Sequence, residues 1–413
     1  MMLSLISLIS PIMGLLVIIC IVIKNWNNTE HKNLKKYVLP LGMLFGVLGY
    51  SLVFNHNAND LSRYYDALIN FKNSSLFEII HIDKEKLYVQ DILYYLVSRT
   101  GNEHIIAFLT GFIVYSISNY VMFDTIEKSK RKFKTSEIAM LSIISVGVVS
   151  PYLILCNVRC IMSYSIVCLA IYRDLVQEKK NLLTLILYII PIGLHSSAII
   201  IIFIRIISSI FKSINTLALL IAVLLPKIIN FAHSSFQNIG FGSIGKLIQN
   251  VINKAYYYLY WTEGGWASKV GQFFSNKFNR ITGCIFLVTI IYILLDHNKQ
   301  RTINKPLDNK MIRFLYFSAI FALGCLSIKT GAFWRFESIP VLYCPVIFVN
   351  LIENDESKKK TLTMIFIFSA LVFAANLISM FRNIYFYKTI FNLATTSGLK
   401  ILFELIRGLI NII

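Results

Sequence analysis

Apolar residues in this chain come in long unbroken runs, not in alternation or as one stripe per helical turn. The runs lie near 3–23, 37–54, 104–123, 138–156, 158–172, 215–232, 281–296, 312–328, 336–352 and 361–380, with short polar segments between them. A helix needs about 20 mostly apolar residues to cross a bilayer core. A backbone surrounded by lipid must satisfy its own hydrogen bonds, which helices do. The pattern therefore predicts an all-α polytopic membrane protein. The stretch 182–210 stands apart: its 29 residues would form a helix about 43 Å long, long for one crossing and short for two. Pro191, Gly193 and His195 lie near its centre, where a helix breaks or kinks.

The charges between the runs decide this ambiguity. Cytoplasmic loops collect Lys and Arg. If the loop 24–36 (Lys24, Lys32, Lys35, Lys36) is cytoplasmic, then 124–137 (Lys128, Lys130, Arg131, Lys132, Lys134) and 173–180 are too. A single crossing at 182–210 would put the basic loop 297–313 outside. Two crossings, with His195 at an outer turn, put it inside together with Lys358, Lys359 and Lys360. The charges favour two, for about 12 passes in all. Outward-facing segments are then 55–103, 233–280 and the turn carrying Lys329 and Arg335. The first holds 7 of the 21 acidic residues, and the second contains "AYYYLYWTEGGWASK" with Glu263.

Composition agrees: 56% of residues are hydrophobic and only 15% charged, where a soluble domain carries about a quarter charged. The net charge of +19 sits in short clusters between apolar runs, which points to anionic lipid and not to nucleic acid. The first residues lack a basic region and a cleavage site, so they read as an uncleaved span. Seven cysteines without a CxxC pair argue against a disulfide framework or a zinc site. No motif calls for a cofactor or a metal. The domain reading is one polytopic unit over 1–390, followed by an amphipathic interfacial C-terminal helix over 391–413. There Lys400, Glu404, Arg407 and Asn411 form one polar stripe suited to the membrane interface.

Three titratable or cationic groups fall at one depth on the outer side: Arg159, His195 and Arg335. A charge near membrane depth is costly and usually marks a site or a snorkel to the surface. Arg159, beside Asn157 at the head of a span, is either an interfacial anchor or a forked clamp for phosphate oxygens. His195, followed by Ser196 and Ser197, either caps a helix break or serves as a base or phosphate contact. Arg335 either stacks on Trp334 or Phe336 at a rim or joins the site. In "NANDLSRYYDALINF", Asp60 and Arg63 pair one turn apart if helical, or join Tyr64 and Tyr65 in a sugar-binding cleft.

An outer loop with "DLSRYYD", then "NVRCIMSYSIVCLAIY", then "IGLHSSAIIIIF" and late "FWRFESIPVLYCPVIF" follow in that order. The combination resembles EpsG-like and Wzy-type bacterial polysaccharide polymerases, over roughly 37–380. The resemblance implies a multi-pass glycosyltransferase of the cytoplasmic membrane, with a GT-C-like architecture among its expected forms. It would join undecaprenyl-diphosphate-linked oligosaccharide units on the outer face into O-antigen, capsule or exopolysaccharide, beside a flippase and a chain-length regulator. Arg159, His195 and Arg335 become the implied active-site residues. Asp60, Arg63, Tyr64, Tyr65, Asn157, Trp334 and Glu263 become implied substrate contacts. His195 is then the first choice of base and an outer-loop carboxylate such as Asp60 the second. The alternatives are a lipid-linked oligosaccharide flippase, which would show repeats and deep charges, an O-antigen ligase, and a membrane acyltransferase with His and Asp in one motif.

Overall fold

The computed structural model describes residues 2–29, 33–54, 60–72, 74–82, 87–211, 227–235, 277–300, 310–327, 332–354 and 359–411, and the single positions Leu224, Gln249, Ile252, Asn253 and Tyr256. Among these residues the structure is helical, apart from one antiparallel bridge between Phe54 and Ile384. The chain forms two units, Met1–Ile166 with Pro345–Ile413, and Val167–Cys344. The first begins with α1 (Met2–Ile9), α2 (Pro11–Lys24), α3 (Val38–Tyr50), α4 (Asp60–Phe71), α5 (Leu76–Ile82) and α6 (Tyr88–Arg99). It continues through α7 (Ile105–Lys128), α8 (Thr135–Gly147), α9 (Pro151–Cys156) and the start of α10 (Val158–Leu175). The second holds α11 (Leu182–Leu194), α12 (Ala198–Ile210), α13 (Lys277–Gln300), α14 (Lys310–Gly324) and α15 (Ala332–Leu342). The first unit then closes with α16 (Pro345–Asn354), α17 (Lys359–Asn383), α18 (Phe386–Thr395) and α19 (Gly398–Ile410).

Among the described residues three helical stretches are long and apolar enough to cross a membrane: Ile105–Lys128, Ala332–Ile352 and Lys359–Ile378. Shorter apolar helices include Pro11–Lys24, Thr135–Gly147, Leu182–Leu194, Ala198–Ile210 and Ile281–Leu295. These apolar helices point to a membrane protein.

Two expected spans are in fact broken. The run 3–23 divides at Ser10–Pro11, where Ser10 is extended and its Oγ caps the Met13 amide at 3.4 Å. The run 138–156 divides before Pro151, which opens α9 with Ser150 extended at ψ 125°. A residue preceding proline is pushed out of the helical region, so neither helix runs through. The carbonyls left at the end of α8 are satisfied from a distance: Asn376 Nδ2 on α17 donates to Gly147 and Val148 at 3.2 Å each. "FWRFES", expected at a turn, lies inside α15 instead. The C-terminal segment is also divided, so its amphipathic helix starts at Gly398.

Helices α3 and α7 form the centre of the first unit. Gly49 sits against the Ala107 carbonyl and Gly111 against the Phe45 carbonyl, where a Cβ would collide with backbone. Close backbone approach at small residues is how helices associate without a hydrophobic driving force in lipid. Phe45 and Tyr115 stack beside them with ring centres 3.7 Å apart.

The unit has two distinct ends, separated by the 24 residues of α7, about 36 Å of helix. At one end the basic loops meet. The Leu34 amide donates to Glu127 Oε1 at 2.6 Å, and the Thr135 amide to the Asn28 carbonyl at 3.0 Å. Lys35 lies 2.6 Å from the buried Asp124, whose carboxylate raises the ammonium's pKa. Lys359, at the start of α17, comes within 4.0 Å of Glu137 at the same end. Three of the basic segments that the charge pattern placed on one side, 24–36, 124–137 and the start of α17, are thus together. At the other end lie α4, α6, the start of α7 and the head of α10.

In the second unit α11 and α12 double back as a hairpin. Tyr188 Oη and Arg205 Nη2 both reach the Asp174 carboxylate, at 3.2 and 2.6 Å. In one continuous helix these two residues would stand about 25 Å apart. The break falls at His195–Ser197, as the proline and histidine near the centre of this stretch suggested.

Candidate functional site

The head of α10 is set by Asn157. This residue is buried, its Nδ2 donates to the Leu153 carbonyl at 2.9 Å, and its own carbonyl accepts from Ile161. It joins the end of α9 to the start of α10 and so fixes where the next turn points. Arg159, two residues on, carries its guanidinium to α4 and α6. Its Nε donates to Tyr64 Oη at 3.3 Å and its Nη1 to Gln90 Oε1. The guanidinium carbon stands 5.1 Å from the centre of the Tyr64 ring. Tyr64 is in turn packed on Tyr94 at 5.9 Å. An arginine held by two uncharged acceptors and backed by an aromatic face keeps a fixed orientation, which suits oxygens of a phosphate.

The neighbouring residue serves a different group. Tyr65 Oη lies 3.3 Å from His104 Nδ1, just before α7. The Asn102 side chain holds this corner together. Its Oδ1 accepts from the His104 amide at 3.0 Å, and its Nδ2 donates to Tyr50 Oη at 2.7 Å and Glu404 Oε2 at 3.1 Å. Tyr50 also donates to Glu404 on α19. Burial lowers the His104 pKa, while Glu103, the Tyr50 backbone and Glu404 pull it upward. Burial likewise pushes the Tyr65 phenol well above its ordinary value, with Cys156 and Glu103 adding to it.

The remaining sequence candidates fall as follows. Asp60 is the first residue of α4, and Arg63 is exposed on the same helix. Glu263 lies outside the described residues. In the second unit His195 ends α11, and its Nδ1 lies 2.6 Å from Ser197 Oγ and accepts from the Ser197 amide at 3.3 Å. An Nδ1 that accepts leaves the neutral ring's proton on Nε2, so the ring presents a donor there. Arg335 is half-buried on α15 and lies 5.6 Å from the Trp334 ring centre, with Trp334 itself buried. The same helix buries the Glu337 carboxyl against Gly283 of α13, where a side chain would leave no room for it. Arg159 belongs to one unit, and His195 and Arg335 to the other.

Gln90, Asn102, His104 and Tyr50 were not singled out in the sequence, and Glu404 only as part of the C-terminal polar stripe. Each is a common polar residue in an unremarkable local context, and only packing gives it a role.

The fold and site define a polytopic helical membrane protein with an arginine held by a tyrosine and a glutamine, and a histidine–tyrosine pair, at one end of a helical unit. The chain belongs to the EpsG family, whose sequence model matches residues 36–393. No curated protein and no solved structure matches it.

Proposed function

We propose that this protein is a membrane glycosyltransferase that polymerises lipid-diphosphate-linked oligosaccharide repeat units, carried on undecaprenyl, into a cell-surface polysaccharide. The reading includes action at the outer face of the cytoplasmic membrane, about 12 passes by loop charge, and a GT-C-like arrangement. Family membership supports the polymerase class. The observation that carries the chemistry is Arg159, held by Tyr64 and Gln90 at the end of its unit opposite the basic loops.

The leaving group of such a reaction is a lipid diphosphate, whose negative charge grows as the glycosidic bond breaks. A pre-oriented guanidinium stabilises that charge as it forms and needs no reorganisation to do so. Tyr64, Tyr65 and Arg63 on α4, with Asp60 at its start, are the proposed sugar-facing group; Glu263, outside the described residues, is a separate candidate substrate contact. Asn157 acts through the backbone it caps. His195, whose Nε2 presents a donor, and Arg335 with Trp334 are carried as further candidates within their own unit.

Deleting the gene and analysing the lipid-linked glycan by mass spectrometry tests the reading. A lipid-linked single repeat unit in place of long polymer is the expected result. Repeat units trapped on the inner leaflet would replace this reading with a flippase, and intact polymer lacking only an acyl group would replace it with an acyltransferase. Intact polymer that is no longer joined to its final acceptor would indicate a ligase.

A further inference from the structure

We infer that Tyr65 and His104 form a proton relay that accepts the proton of the attacking sugar hydroxyl. The inference rests on the glycosyl-transfer reading and adds the base to it. A glycosyl transfer needs two things from its site: stabilisation of the departing diphosphate and removal of a proton from the acceptor. Arg159 answers the first. The two consecutive tyrosines of α4 divide the work, because Tyr64 is bound to Arg159 and Tyr65 lies 3.3 Å from His104 Nδ1.

The pair is built and not incidental. His104 is held by its amide on Asn102, its ring is flanked by Tyr65 at 5.1 Å and Tyr50 at 5.8 Å, and Tyr65 is bracketed by Phe54 at 6.4 Å. The charged or titratable groups facing it are Glu103 from its own segment, Glu404 from α19, Tyr50 from α3 and Cys156 from α9. Tyr65 and His104 are both half-buried, so the pair is sheltered from bulk water without being sealed in a core.

With the ring proton on Nε2, His104 Nδ1 accepts the phenolic O–H. The acceptor hydroxyl oxygen then bonds to the anomeric carbon, and the carbon–oxygen bond to the diphosphate breaks with its electron pair on the diphosphate. The hydroxyl proton passes to Tyr65 Oη as the phenolic proton passes to His104 Nδ1. The products are the lengthened glycan, the lipid diphosphate and an imidazolium that returns its proton to water. Tyr65 is the catalytic residue of this pair and His104 its positioning and proton-storing partner.

The test uses full-length protein in lipid nanodiscs, with lipid-linked repeat units extracted from a strain lacking the gene, and follows chain elongation against pH. Tyr65→Phe keeps the ring and removes the relay atom. His104→Gln keeps a neutral acceptor for the phenol but takes up no proton. Both are expected to lower kcat about 100-fold with KM unchanged. The wild-type rate should fall as pH drops through the ring's pKa, which burial holds below its ordinary value, and His104→Gln should lose that limb. Should His104→Gln fail to fold, Tyr65→Phe decides. Full activity in Tyr65→Phe, or an acid limb that persists in His104→Gln, overturns the relay while leaving the polymerase reading intact. A wild-type protein that elongates no lipid-linked repeat units overturns both.

Discussion

Arg159 and Tyr64 meet in two ways at once: the guanidinium Nε donates to the phenol at 3.3 Å, and its carbon stands 5.1 Å from the same ring's centre. The hydrogen bond and the ring together restrict the fork more than either would alone. A residue that only snorkels to headgroups has no need of such restriction.

Replacing Arg159 by Lys keeps the charge and loses the fork. Activity in Arg159→Lys should therefore fall about as far as in Arg159→Ala, on the order of 100-fold or more. Polymer length at matched membrane abundance is the measurement. Normal polymer from Arg159→Lys would make this residue an anchor. Tyr64→Phe should give a smaller loss, because the ring remains.

The joined basic loops predict labelling. In a cysteine-free background, Ser129→Cys and Asn309→Cys should resist an impermeant thiol reagent in intact cells, and Ser74→Cys and Asn250→Cys should react. The contacts between Leu34 and Glu127 and between Thr135 and Asn28 require Ser129 to follow the loop 24–36. Labelling at Asn309 without labelling at Asn250 would mean a single crossing at 182–210.

The hairpin of α11 and α12 is tied to Asp174. Arg205→Met leaves that largely buried carboxylate without its 2.6 Å partner and should destabilise the protein by about 3 kcal/mol. Adding Asp174→Leu should recover most of the loss. Thermal unfolding in a fixed detergent or nanodisc reports both values, and an undisturbed midpoint in Arg205→Met would remove the pair from the hairpin's support.

Gly49 and Gly111 predict a packing cost. Gly49→Ala or Gly111→Ala places a Cβ against a backbone carbonyl that has no rotamer to yield. Each should cost about 1–3 kcal/mol of stability, seen as a lower unfolding midpoint, while Gly101→Ala, whose Cβ meets no atom, should show backbone strain alone.

His104 gives a stability prediction with a definite sign. Burial lowers its pKa in the folded protein, so the unfolded chain binds the proton more readily. Its stabilising effect is complete above the unfolded value of about 6.5 and is lost as pH falls below it. Unfolding midpoints between pH 7.5 and pH 5 should therefore drop more steeply in the wild type than in His104→Gln, a comparison that equal slopes would contradict.

Hydropathy alone was enough to recognise a membrane helical protein, because lipid admits few backbone solutions and a run of apolar residues is visible without any partner. Loop charge was enough to place 24–36, 124–137 and Lys359 at one end, since lysines report a side of the membrane individually. The proline and histidine near the centre of 182–210 marked a break that the structure contains. The breaks before Pro11 and Pro151 were also written in the chain, but the apolar runs through them hid two local backbone rules. What only the tertiary structure decided was pairing. Gln90 and Tyr64 reach Arg159 from 69 and 95 residues away, and His104 reaches Tyr65 across 39. A single sequence holds no signal for such distances, because a polar side chain in a half-buried helix looks the same whatever it will meet. Packing of α4 and α6 against the head of α10 makes those side chains into a site.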